Sequence, residues 1–276
     1  MTLDRTESKY IPVAENVELH ILERGAGSPM LFIPGLTFSG EIFKAQIEHF
    51  STSHRVIAID PRAQGLSSKV AHGNDYLTHG RDLNALIEAL DLHDLTLVGW
   101  STGNLDLWSY VSQFGLGRLK SAVTIDMSPV PLSADPDWWV EASIEDVRGL
   151  VSQVLPTLEG TREFWSEYAT GVMIQHEMRP EELEYLLDMS ARTPHSALFA
   201  LFASAIFSDY YAAAKEVAEK LPSLMFIAEH WADVAAPFMH KHFPGTKTQV
   251  MGGHLMFYEY PEKWNQVLEG FLSEIG

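Results

Sequence analysis

Residues Gly99-Trp100-Ser101-Thr102-Gly103 spell G-x-S-x-G between the apolar run Leu95-Thr96-Leu97-Val98 and a helix-patterned segment. A serine on a tight strand-to-helix turn projects its hydroxyl clear of a sheet, and glycines beside it let the backbone pack closely. Ser101 is therefore the expected nucleophile, against the plain alternative of a surface Ser/Gly turn. Such a hydroxyl attacks a carbonyl at neutral pH only when a base takes its proton. His254 is the best of the twelve histidines. It follows Gly252-Gly253 at the end of a strand-like run and precedes Leu255-Met256-Phe257-Tyr258-Glu259-Tyr260-Pro261, which leads into the last helix. Its plain alternative is a loop histidine without a partner.

The elements that must position these groups read as an α/β pattern. Short apolar runs at Leu31-Phe32-Ile33, Val56-Ile57-Ala58-Ile59, Leu97-Val98 and Ala122-Val123-Thr124-Ile125 end in turn residues, as strands covered on both faces do. Leu83, Leu86, Ile87 and Leu90 recur at helical spacing, as do Phe43, Ile47 and Phe50. Alternating strands and crossover helices imply a mostly parallel sheet. From residue 132 to 220 the strand signals stop and aromatic-rich helical patterns take over. Strand character returns at Leu224-Met225-Phe226-Ile227 and near Thr248-Gln249-Val250-Met251, before a closing helix carrying Trp264, Val267, Leu268 and Phe271. The expected organisation is a core domain of residues 1–131 and 221–276 with a helical cap, residues 132–220, inserted into it.

The chain of 276 residues is 46% hydrophobic and 20% charged, with 14 Phe and 7 Trp, a globular composition with an aromatic surplus suited to an apolar pocket. A formal charge of −18 opposes binding to phosphate backbones or anionic membranes. A small molecule is the expected partner, with no nucleic acid and no membrane; a homo-oligomer is compatible with the composition. The absence of cysteine excludes disulfides, thiolate catalysis and cysteine metal sites. The first residues carry no basic segment leading into an apolar stretch, so a cytoplasmic protein is the simplest expectation. His176, His195, His230, His240 and His242 do not combine with carboxylates at metal-ligand spacing, so no metal is implied. Gly25-Ala26-Gly27 and Gly115-Leu116-Gly117 read as turns, not as a nucleotide fingerprint, and no cofactor is expected.

Several segments together resemble the α/β-hydrolase fold superfamily, in its serine esterase and lactonase-like branch. Ile33-Pro34-Gly35-Leu36 is similar to the family's oxyanion-hole loop, and Asp60-Pro61-Arg62-Ala63-Gln64-Gly65-Leu66-Ser67 to its D-x-R-G-x-G-x-S segment. Gly253-His254 with Glu259-Tyr260-Pro261 resembles its histidine loop. The resemblance implies that the backbone N–H groups of Leu36 and Thr102 hold a developing oxyanion, each donor worth ~3 kcal/mol. Departures place the chain in a side branch: Pro34-Gly35 where many members have His-Gly, Ala63-Gln64 for the usual Gly-His, and Asn104 where a second glycine is common.

The triad acid must lie behind the histidine at a strand end. Asp233, in Glu229-His230-Trp231-Ala232-Asp233, lies near the commoner family location, but the usual position falls at Trp231. Some branches carry the acid one strand earlier, where Asp126 ends Thr124-Ile125-Asp126. Asp126 is favoured, Asp233 is the alternative, and Glu229 is a third candidate. By position, Trp100 and Thr102 beside the nucleophile and Trp138 and Trp139 after the Asp126 loop are the expected pocket residues. The function so implied is a cofactor-free serine hydrolase of a small hydrophobic ester or lactone, acting through an acyl-enzyme. Two alternatives stand beside it: a cofactor-independent dioxygenase or lyase on the same fold, and a non-catalytic small-molecule receptor. Trp100 and Thr102 occupy positions where the dioxygenase branch has histidines.

Overall fold

The structure is a computed structural model and describes residues 5–276 apart from Pro136. Eight strands form one sheet: β1 (Glu7–Ala14), β2 (Val17–Arg24), β3 (Ser28–Ile33), β4 (His54–Ile59), β5 (Leu95–Trp100), β6 (Leu119–Ile125), β7 (Ser223–Ile227) and β8 (Thr246–Val250). They lie in the order β1-β2-β4-β3-β5-β6-β7-β8. β1 and β2 are antiparallel to each other, β2 is antiparallel to β4, and every other pairing is parallel. The opening hairpin turns at Asn16, which has φ +57°.

Two-residue periodicity divides the strand side chains between two cores. Leu31, Ile33, Ile57 and Leu97 point to one face, where they meet Leu83, Leu86 and Ile87 of α2 (Tyr76–Ala89) and Leu107 and Val111 of α3 (Gly103–Phe114). Met30, Phe32, Val56, Ala58 and Val98 point to the other, against Ile47 and Phe50 of α1 (Lys44–Phe50). That second face also receives Trp264, Leu268 and Phe271 from the C-terminal helix Pro261–Ile275. Each such buried side chain contributes about 1.5–3 kcal/mol, so both faces are closed by the same effect.

Between β6 and β7 the chain leaves the sheet and builds the cap from α4 (Ile144–Gly149), α5 (Leu158–Tyr168), α6 (Pro180–Ala191) and α7 (His195–Ile206). A five-residue π-helical turn, Leu150–Val154, follows α4, and a second, Ala169–Met173, follows α5. The next helix, α8 (Tyr211–Lys220), differs from the expected division at residue 220. Its Ala213, Ala214 and Val217 are buried in the first core with Val111 of α3. The Tyr210 N–H donates to Pro129 O at 2.9 Å, so the return to the sheet domain begins there. Alanine spacing and aromatic content look alike in a cap helix and a crossover helix, which is why the sequence did not separate them.

Among the described residues no single helix is long and apolar enough to cross a membrane; α7 and α8 reach that length only together, bent by 68°.

Candidate active site

β5 delivers the serine. Ser101 sits one residue past the strand with φ +53°, a left-handed conformation that costs a non-glycine residue on the order of 1–3 kcal/mol. Local hydrogen bonds hold it there. The Ser101 N–H donates to Ile125 O at 2.8 Å, and the Asn104 side-chain amide donates to the same carbonyl at 2.9 Å. Asn104 thus ties the turn to β6, a use its position after the elbow did not reveal. Glycine at 103 is imposed by space: a Cβ there would lie 2.4 Å from Ile33 O and 2.8 Å from Pro34 O.

The neighbouring strand delivers the acid. Asp126 follows β6 with φ +50° and is fully buried. Its Oδ1 accepts the Ala228 N–H at 2.8 Å, and its Oδ2 lies 2.6 Å from Nδ1 of His254. A carboxylate only accepts, so Nδ1 carries the hydrogen and Nε2 presents its lone pair. Among the described residues Nε2 has no hydrogen-bond partner, which leaves it available to a hydroxyl in the cavity that His254 and Ser101 both line. The histidine loop is held from the cap, where Val172 O and Met173 O accept the N–H groups of His254 and Leu255 at 3.0 and 2.9 Å. The Trp100 indole N–H donates to the carbonyl of His254 at 2.8 Å, so Trp100 positions the imidazole as well as lining the cavity.

The third approach comes from the loop after β3. Leu36 and Thr102 line the same cavity, and their backbone N–H groups donate to no partner among the described residues. Such paired free donors suit an oxygen that gains negative charge. The loop itself is fixed by Gln64, whose side-chain oxygen accepts the Thr37 N–H. Gln64 in turn rides on a braced segment. Asp60 accepts from Gly40 N at 2.7 Å and Leu66 N at 2.6 Å, and Arg62 makes a bidentate pair with Asp82 at 2.7 and 2.6 Å.

The cavity measures about 270 Å³. Its walls are mostly apolar, with Phe38, Met127, Phe164, Trp165, Leu198 and Phe202 around Ser101 and His254. Tyr168 stands edge-on to the His254 ring, centroids 5.7 Å apart. One carboxyl group intrudes: Glu141 lines the cavity and accepts the Ser128 N–H on Oε1 at 2.8 Å. Burial pushes its carboxyl up to about 8, with the Asp126 charge adding to the rise.

Two expected pocket residues lie elsewhere. Trp139 is fully buried in the first core and packs edge-on to Phe238. Trp138 packs against Tyr211 of α8 and against Phe238 and His242 of the helix Ala232–His242, here α9. Their nearness in sequence to Asp126 misleads because the chain folds back beneath the cavity before it enters the cap. Asp233 is exposed in the first turn of α9 and does not meet His254, while Glu229 is exposed and accepts the Gln175 amide at 3.0 Å. The cap aromatics that line the cavity instead come from α5 (Phe164, Trp165, Tyr168) and α7 (Phe202), beside Phe38 and Trp100 of the sheet domain. Glu141 was passed over too, although an acid directly after Trp138-Trp139-Val140 is the signal that could have marked it. Among the described residues no three His, Asp or Glu side chains are grouped to hold a metal ion.

Residues 28–259 match the family model described as alpha/beta hydrolase fold. Over 161 residues the chain is 34% identical to the non-heme chloroperoxidase CPO-A1 of Kitasatospora aureofaciens, covering 57% of this chain and 56% of that one. The chain spans about half the length of the haloperoxidase-named relatives it matches. It is 22% identical over 269 residues to the AB hydrolase superfamily protein YisY of Bacillus subtilis, covering 95% and 98% of the two chains. Among solved structures, an esterase from Exiguobacterium antarcticum aligns with a TM-score of 0.86 at 19% identity, covering 97% of this chain and 100% of that one.

Proposed function

The chain belongs to the α/β-hydrolase fold family, and from that premise we propose that it is a serine hydrolase cleaving a small, largely apolar carboxylic ester or lactone. The observation that carries this reading is the 2.6 Å contact between Asp126 and His254 at a cavity that also holds Ser101 and two free N–H donors. Ser101 Oγ attacks the substrate carbonyl while His254 Nε2 takes its proton. Asp126 holds the imidazole tautomer and stabilises the imidazolium. The N–H groups of Leu36 and Thr102 receive the charge that develops on the carbonyl oxygen. His254 then returns the proton to the leaving oxygen, and water releases the acyl group from Ser101 by the same route.

Apolar walls support the substrate class, because they reward burial of hydrocarbon and leave polar recognition to few groups. The test is labelling with a fluorophosphonate, location of the adduct by mass spectrometry, and p-nitrophenyl ester turnover in wild type and Ser101→Ala. The expected adduct is on Ser101, with turnover lost in the variant. An unlabelled Ser101 overturns the reading; labelling without turnover favours a receptor. Proton abstraction that survives in Ser101→Ala favours the dioxygenase or lyase.

A further inference from the structure

Glu141 is the one carboxyl of the cavity wall that the proposed reaction does not use and that lies in contact with the β6 loop. Its Oε1 is occupied by the Ser128 N–H, and its Oε2 has no hydrogen-bond partner among the described residues. Asp126, two residues before Ser128, is saturated by His254 and Ala228. Burial in a largely apolar cavity wall opposes a charge on Glu141, and the negative charge of Asp126 adds to that opposition. Asp126 faces the imidazole and the Ala228 N–H, whereas Glu141 Oε2 faces no donor among the described residues, so Glu141 keeps its proton at neutral pH. A protonated carboxyl is a hydrogen-bond donor, and it stands among walls that are otherwise mostly hydrocarbon and aromatic.

We infer that Glu141 is a specificity-determining donor, and that the site selects substrates whose apolar acyl part carries one acceptor oxygen, a ketone or an ether. The inference rests on the hydrolase reading and narrows its substrate class. Glu141 is half-buried, and a substrate without that oxygen displaces water from its hydroxyl without pairing it, which a hydrogen-bonding site penalises. Elevation of the Glu141 carboxyl to about 8 by burial is consistent with the same protonation state.

The test compares p-nitrophenyl pentanoate with the 3-oxo, 4-oxo and methoxy-substituted esters of matched length. In wild type, kcat/KM for at least one oxygen-bearing ester is expected to exceed that for the plain ester by about tenfold, the effect of one hydrogen bond. Glu141→Leu should erase the preference through KM, while Glu141→Gln, which keeps a neutral donor, should retain most of it. Because the readout is a ratio within each variant, a merely structural role for Glu141 lowers both activities and leaves the ratio unmoved.

A second measurement stands independently of how well the leucine variant folds. The titratable groups around Glu141 are Asp126 at the end of β6, Tyr168 of α5 and His254, with Asp146 of α4 on the same cavity. Any change in the shared ester chemistry affects both substrates alike and cancels. The wild-type preference should therefore fall between pH 7 and 9, and the Glu141→Gln preference should stay flat. Equal ratios in wild type and Glu141→Leu, or a wild-type ratio near one for every ester, overturn the inference. Absence of fluorophosphonate labelling at Ser101 overturns the hydrolase reading instead, so the two failures are distinct.

Discussion

Gln64 accepts a hydrogen bond from the backbone N–H of Thr37, clamping the turn after β4 to the loop after β3. Both residues are buried, at 3% and 0% exposure, so neither group can turn to water instead. Thr37 also holds φ +69°, a strained conformation that needs such a tie. The glutamine that stands in place of the family's usual histidine thus holds the Leu36 donor in place. Gln64→Leu is expected to cost about 1–3 kcal/mol of stability through the orphaned N–H. Urea denaturation reads that loss, and ester kinetics should show kcat falling more than KM rises. Lost stability with unchanged kcat would separate the clamp from catalysis.

Asp126→Asn should lower turnover by ~10⁴-fold, the penalty of the wrong imidazole tautomer in the Ser-His-Asp template. Asp233→Asn should leave turnover within about twofold of wild type, since surface substitutions away from special features change little. Steady-state rates on one p-nitrophenyl ester decide it, and a larger loss for Asp233→Asn would refute the assignment.

Two tryptophans should separate structure from specificity. Trp139→Ala removes a fully buried side chain from the sheet core and should cost about 3–5 kcal/mol with KM unchanged. Trp165 lies on the wall between the 270 Å³ cavity and a neighbouring one of about 290 Å³, and Leu198 is the other residue common to both. Trp165→Ala joins the two spaces, so the optimum acyl chain should lengthen. A kcat/KM profile across chain lengths checks this; an unshifted optimum would count against the partition.

Glu141 also sets a slope of stability with pH. Its folded carboxyl is raised from 4.5 to about 8, so between those values the folded chain holds a proton that the unfolded chain has released. Stability from this group is therefore greatest below pH 4.5 and falls as pH rises toward 8. Glu141→Gln cannot titrate and lacks that slope. Melting temperatures measured from pH 5 to 8 should move in favour of the variant by an amount that grows with pH. A constant difference would show that Glu141 is ionised throughout.

The sequence pointed to Ser101 and Asp126 because each follows a short apolar run at a turn, and to His254 because it follows paired glycines after a strand; a parallel sheet brings consecutive strand ends to one edge, and Asp126 lies 2.6 Å from His254. The opening hairpin β1–β2 was less visible: β1 alternates between half-buried and exposed positions, so it lacks the continuous apolar run of the central strands. The pocket walls were illegible for a different reason. Trp138, Trp139, Trp165 and Phe202 are all aromatic residues near helical segments, and only the path of the chain after β6 decides which pair faces the sheet core and which faces Ser101. Asn104 and Gln64 read as departures from a pattern, while their hydrogen-bonding roles depend on partners 21 and 27 residues away.

The Thr37 hydroxyl lies 2.7 Å from that of Ser190 on α6, and the Thr193 hydroxyl donates to Thr37 O at 3.4 Å. Any lifting of α6 to admit a substrate severs these bonds and slackens the loop that presents the Leu36 N–H. For the proposed reaction this couples entry to chemistry: a roof lifted from Thr37 would leave the Leu36 N–H without these supports until the helix settled back.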